Sequence, residues 1–182
     1  QVWMVLVLTF LSVVAHYSTY TYITLLVETL RFQGGISLAL LIFGIGSVIS
    51  VILSARIIDA HLQGLIVAML VAGAVAMMLF VVFGGANGWS HMAFLLWGLA
   101  FGPLVTMWQT AVSKQVTEAK AVATSVQSSV FNFSIMIATW VAGLILVYLP
   151  QFGAMGIVYL SILCFIPAIL LSLFANRTLG DK

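Results

Sequence analysis

The sequence predicts an all-α integral membrane protein, a bundle of six transmembrane helices, and three observations carry that prediction. Of the 182 residues, 64% are hydrophobic and only 5% are charged, with a mean hydropathy of +1.26. A soluble domain carries about 25% charged residues, so this chain cannot cover a water-facing surface. Short polar or glycine-rich breaks divide it into six apolar segments of about 20 residues or more, each enough to cross roughly 30 Å of hydrocarbon. The breaks are too short to hold structure of their own, so neighbouring helices run antiparallel. Residues 1–182 are therefore read as a single transmembrane domain.

The first span, 2–27, is apolar at its start and then turns polar in "AHYSTYTYITLLVETL", Ala15 to Leu30. Thr9, Ser12, His16, Tyr20, Thr24 and Glu28 recur at steps of three and four, on one slowly drifting helix face. Each polar group buried in hydrocarbon costs a few kcal/mol unless something satisfies it. That face should therefore look onto a cavity or a partner. Residues 2–15 lack the basic n-region of a signal peptide, and the polar run after them still reads as helix.

The second span, 36–56, follows "ETLRFQGG" and repeats the spacing with Gly44, Ser47, Ser50 and Ser54. Small residues of this kind let helices pack closely. It closes in "RIIDAHLQG", where Arg56 and Asp59 stand three apart at a helix end, placed either to form a gate or to cap the helix. The third span, 64–83, has no polar side chain and should face lipid on most sides, Met77 included. "GGANGWS" supplies the turn that follows.

In the fourth span, 91–112, Trp97, Phe101 and Trp108 lie beside Thr106, Gln109 and Thr110, and "GLAFG" sets Gly98 and Gly102 in a small-xxx-small contact. After "SKQVTEAK", the fifth span, 121–148, carries Thr124, Ser128, Asn132 and Thr139 as a stripe with Gln127 alongside. "LPQFG" leads to the sixth, 155–174, with scattered serines and Pro167, expected to kink it. Large polar side chains inside spans usually face a cavity or a partner. Spans one, two, four and five are thus expected to wall a polar interior, with three and six outside.

Lysine and arginine are unevenly placed. Arg56, Lys114, Lys120, Arg177 and Lys182 fall in the even loops and the tail, with only Arg31 opposite. The positive-inside rule makes the tail and, with six spans, the N-terminus cytoplasmic. The net charge of +2 forms no patch that could neutralise phosphates, which argues against nucleic acid as a partner. Cys164 is the single cysteine and excludes an internal disulfide. The three histidines lie on separate segments, so no metal site is expected, and no cofactor. "GWSH", Gly88 to His91, is the nearest approach to a hydrolase motif, without a nucleophile–base constellation, so no enzyme is expected.

Several stretches together resemble the C-terminal half of a major facilitator superfamily transporter, within it the bacterial drug- and sugar-efflux antiporters of the arabinose/IPTG-efflux type. "AHYSTYTYI" is similar to the aromatic–hydroxyl run of that family's seventh helix. "SARIIDAHLQ" resembles a worn Gly-Arg-x-x-Asp-Arg loop motif, with Arg56 and Asp59 matched and Ala55 and Ala60 departing. "WGLAFGPLVTMWQTAV" and "ATSVQSSVFNFSIMIATWVAGLIL" resemble the tenth and eleventh helices, with Ser134 and Thr139 where glycine is common. Leu25 stands where the family often has proline.

The resemblance implies one half of a 12-helix fold, helices 7–12 of a 3+3 inverted repeat, in the bacterial inner membrane with both ends cytoplasmic. It implies proton-coupled export of a sugar, drug or metabolite by alternating access against an N-terminal six-helix half, surrounded by membrane lipid. His16, Tyr17, Tyr20 and Thr24, with Trp108, Gln109, Gln127, Ser128 and Asn132 opposite, are the expected substrate contacts. His16, the one group deep in a span that titrates near neutral pH when unperturbed, and Glu28, three residues from Arg31 and placed to pair with it, are the proton-coupling candidates. A non-transporting membrane subunit and a six-helix unit working as a homodimer are the competing readings. The absent initiator methionine at Gln1 and the length favour a fragment.

Overall fold

A computed structural model describes residues 1–86, 88–175 and 179; Asn87 of the third loop, Arg177 and Lys182 lie outside the described residues. Among the described residues, eight helices make six spans. The first span is α1 (Val2–Thr21) continued by α2 (Ile23–Thr29), the second is α3 (Gly35–Ile57) and the third α4 (Leu62–Phe83). The fourth is α5 (Trp89–Phe101) followed by α6 (Leu104–Ser113), the fifth α7 (Lys120–Tyr148) and the sixth α8 (Gly153–Phe174). Gly34 (φ 93°) opens α3 and Gly84 (φ 56°) closes α4, both in the left-handed region that favours glycine.

Two spans expected to be continuous are interrupted. Tyr22 (φ −108°, ψ 27°) separates α1 from α2, its N–H turning back to the Thr19 carbonyl at 3.1 Å. Gly102 and Pro103 separate α5 from α6, because Pro103 has no N–H to offer the preceding turn. Pro167 lies inside α8 without ending it.

The packing has an internal two-fold pattern. The second span lies on the fourth as the fifth lies on the first, the third on the fourth as the sixth on the first, and the third meets the sixth. Exchanging first with fourth, second with fifth and third with sixth reproduces these contacts. Each trio holds an odd number of crossings, so the two trios run in opposite directions, as an inverted repeat requires. Burial follows the same pairing: 61% and 50% for the first and fourth spans, 22% for both the second and fifth, 39% and 33% for the third and sixth.

The broken spans are therefore the centre of the bundle. Third and sixth sit behind them, with Gly73 against the Phe165 ring and the Gln63 Nε2 donating to the Ser172 carbonyl at 2.9 Å. Only 39% and 33% of these two spans is buried, so the correction to their expected outward exposure is confined to Met77. The second and fifth spans are the more exposed pair, and Met77 is fully buried while its neighbour Met78 is exposed. The stretch 64–83, with no polar side chain, carries no mark of which face turns inward.

The serine stripe of the second span is a packing seam. Gly98 lies against the Phe43 backbone, Gly46 against that of Leu95 and Gly102 against Ser47, while Ser47 Oγ donates to the Gly98 carbonyl at 3.1 Å. Ser50 and Ser54 donate to carbonyls three residues back in their own helix.

Candidate functional site

The polar run of the first span meets its neighbours through rings. Tyr20 stacks on Phe101 of the fourth span (5.3 Å, 19°) and leans on Phe43 of the second (5.3 Å, 34°). Tyr17 meets Phe101 edge-on at 5.5 Å and Phe131 of the fifth span at 6.0 Å. Spans one, two, four and five thus contribute one aromatic cluster. Tyr17, Tyr20 and Phe101 remain half-buried, and neither tyrosine hydroxyl has a hydrogen-bond partner among the described residues. A groove of about 590 Å³ opens beside them, bounded by Tyr20, Phe43, Phe101, Gly102 and the flank of α3 from Gly44 to Ile52.

The groove sits where both central spans break. Tyr20 precedes Tyr22 by two residues and Phe101 immediately precedes Gly102, and the two rings stack, so both interruptions lie at one depth. Thr24 is exposed one turn beyond, on α2. Across the break, Thr21 Oγ1 and Thr139 Oγ1 are 3.3 Å apart and the Tyr22 hydroxyl donates to the Thr139 carbonyl at 3.3 Å, tying the first span to the fifth.

The expected contacts divide into several places rather than one. His16 is buried behind the cluster, not on its wall. Its Nδ1 accepts from Trp97 Nε1 at 3.1 Å, and Phe101 and Phe165 meet it edge-on at 5.4 and 5.1 Å. An indole nitrogen only donates, so Nδ1 is the acceptor and the imidazole is neutral. Trp108 and Gln127 are likewise buried, with the indole N–H and both carboxamide atoms unpartnered, as is the Thr9 hydroxyl. Ser128 is half-buried and Asn132 exposed, its Nδ2 donating to the Ser128 carbonyl at 2.9 Å. Gln109 lines a second, polar cleft of about 400 Å³ at the end of the bundle.

Glu28 and Arg31 are both exposed, and no side-chain pair joins them among the described residues. Their contact is the Arg31 N–H to the Glu28 carbonyl at 3.0 Å, with Arg31 in the left-handed region (φ 48°) that turns its side chain off the helix line. Arg56 is exposed and Asp59 uses its backbone carbonyl, which accepts from Lys114 Nζ at 2.8 Å and brings the second and fourth loops together. Phe43 and Phe131, which complete the cluster, were not singled out in the sequence, where an apolar ring within an apolar span has no distinguishing mark. The Gly-Pro pair was a readable sign of the second break.

Six crossings, an inverted repeat and a half-buried groove at paired helix breaks define a multi-pass membrane protein built as transporters are built. Residues 1–139 match the family described as the Major Facilitator Superfamily, and the chain belongs to it, a family of membrane transporters. No curated protein matches the chain.

Proposed function

We propose that this chain is the C-terminal half of a proton-coupled secondary transporter that exports a small solute by alternating access from a bacterial inner membrane, both ends of the segment being cytoplasmic. The observation that carries the reading is the pair of unpartnered tyrosine hydroxyls on an aromatic wall where both central spans are interrupted. Rings of this kind stack on sugar faces and aromatic solutes, and Tyr17 and Tyr20 supply the hydrogen bonds that orient them. The groove is open towards the exposed flank of the second span, the side on which the N-terminal half is proposed to close it. The Lys114–Asp59 contact supports a common side for Arg56, Asp59, Lys114 and Lys120, the proposed cytoplasmic face with its gate.

Coupling is assigned to His16 ahead of the exposed Glu28. A proton on His16 Nδ1 turns an acceptor into a donor, so a charged imidazolium and the Trp97 hydrogen bond exclude one another. Protonation would thereby loosen the first span from the fourth beside the groove.

The test is solute-driven proton movement in proteoliposomes, with arabinose, a thiogalactoside and ethidium as probes. The protein is reconstituted in its full natural context and, in parallel, as this chain alone. Tyr17→Phe with Tyr20→Phe should abolish coupled movement of the probe that is transported, while Met78→Ala on the exposed face of the third span should not. Equal behaviour of the tyrosine variant and the control removes the groove from the transport path. Full activity of the chain alone would favour the homodimer reading.

A further inference from the structure

Among the described residues, the polar cleft at the bundle end is lined by more positive than negative charge. It lies where α3 and α6 end and α7 begins. Lys114 and Lys120 line it, against one carboxylate, Asp59. Lys114 reaches the Asp59 backbone carbonyl rather than that carboxylate. Glu118 of the same loop is exposed and lies outside the lining.

The start of α7 adds to the same sign. Lys120 is its first residue, no acidic residue stands in its first turn and no side chain caps it. The N-terminus of a helix carries roughly half a positive charge, so a lysine there is opposed rather than favoured. Ala119, just before it, is held in the left-handed region (φ 56°).

The neutral lining points the same way. Thr106, Gln109, Thr110 and Ser113 follow one face of α6 into the cleft, and none of these side chains has a hydrogen-bond partner among the described residues. Two ammonium groups, an uncapped helix start and four unpartnered donors, spread over about 400 Å³, suit an anion with several oxygens better than a single carboxylate.

We propose that this cleft binds a phosphate group, carried either by an anionic phospholipid headgroup or by a soluble phosphorylated solute, and that the site is separate from the aromatic groove. Lys114 and Lys120 supply the charge, and the α6 side chains orient the oxygens.

The test is native mass spectrometry and thermal melting of the protein in phosphatidylcholine nanodiscs. Phosphatidylglycerol is titrated in one arm and inorganic phosphate in the other. Binding with a rise in melting temperature is expected in at least one arm. The phosphatidylglycerol arm alone would assign the headgroup, and a response to inorganic phosphate the soluble source. Lys114→Gln and Lys120→Gln should each weaken binding by about fivefold. Lys114→Arg with Lys120→Arg should restore it, which separates lost charge from lost fold. Arg56→Gln, a cation at the same end outside the lining, should leave it unchanged. No response in either arm, or an equal loss in Arg56→Gln, overturns the site in favour of no anion or of diffuse surface attraction.

Discussion

Replacing Gly98 by alanine tests the seam that holds the second and fourth spans together. A methyl group there would overlap the Phe43 carbonyl oxygen and come within 2.8 Å of the carbonyl carbon. Both atoms are backbone in the middle of α3, so no side chain can swing aside. Restoring ordinary contact requires the helices to part by roughly 1 Å, and a gap of that size forfeits about a quarter to a half of each dispersion contact along the seam. The Ser47 hydrogen bond to the Gly98 carbonyl, at 3.1 Å, would stretch beyond bonding distance, and such bonds in membranes contribute about 0.6 kcal/mol on average. Overpacking costs of about 1–3 kcal/mol bring the expected loss to about 2–4 kcal/mol. For a chain of this size that is a fall of roughly 5–15 °C in apparent melting temperature, measured in detergent by tryptophan fluorescence. Gly44→Ala is the control, since a methyl group there meets nothing within 4 Å in a helix that prefers alanine. A Gly98→Ala protein that melts within about 1 °C of the parent would refute the close contact and the geometry of the groove beside it.

Three further substitutions read other parts of the bundle by the same melting assay. Trp97→Phe strands the buried His16 Nδ1 and should cost about 1–3 kcal/mol; no change would mean that the Trp97 bond is not formed. Gln127→Leu removes two buried, unpartnered carboxamide atoms and should raise stability by about 1–3 kcal/mol, whereas a loss would reveal a partner such as bound water. Thr19→Val breaks the 2.6 Å contact with the Ser161 hydroxyl that joins the first and sixth spans. It should cost about 0.6–1.7 kcal/mol, and adding Ser161→Ala should cost little more if the pair acts as one unit.

How far the sequence reaches depends on what distinguishes one helix face from another. The spans and their order follow from composition, because hydrocarbon thickness sets a length that charged and glycine-rich breaks then delimit. Residues Gly98 and Gly102 disclosed their seam because only small side chains permit backbones to meet. His16 and Gln127 are less legible for a shared reason: a large polar group in a span needs a partner or a cavity, and the spacing does not say which. For His16 the partner is Trp97, 81 residues away in the chain, a pairing that only the fold creates. Phe43, Phe131 and Met77 sit in uniformly apolar stretches, where nothing local marks inside from outside.

The breaks supply a mark that the polar stripes lack. Pro103 leaves the Leu99 carbonyl without its helical donor, and the turn at Tyr22 interrupts the ladder of the first span. Interrupted backbone is costly against lipid and is tolerated where protein or a water-filled cavity covers it. Both interruptions fall on the two most buried spans, and both lie beside the stacked rings of Tyr20 and Phe101. The inverted repeat accounts for the coincidence: positions related by the exchange of first and fourth spans meet on its axis, so a break in each opens the same place from two sides. Tyr20, which lines the groove, and Tyr17, whose ring packs on Tyr20 and Phe101, are therefore marked out by backbone geometry as well as by side-chain chemistry. His16, one residue from Tyr17, is turned inward to Trp97, so the hydrogen bond on which the proposed coupling rests lies behind that opening.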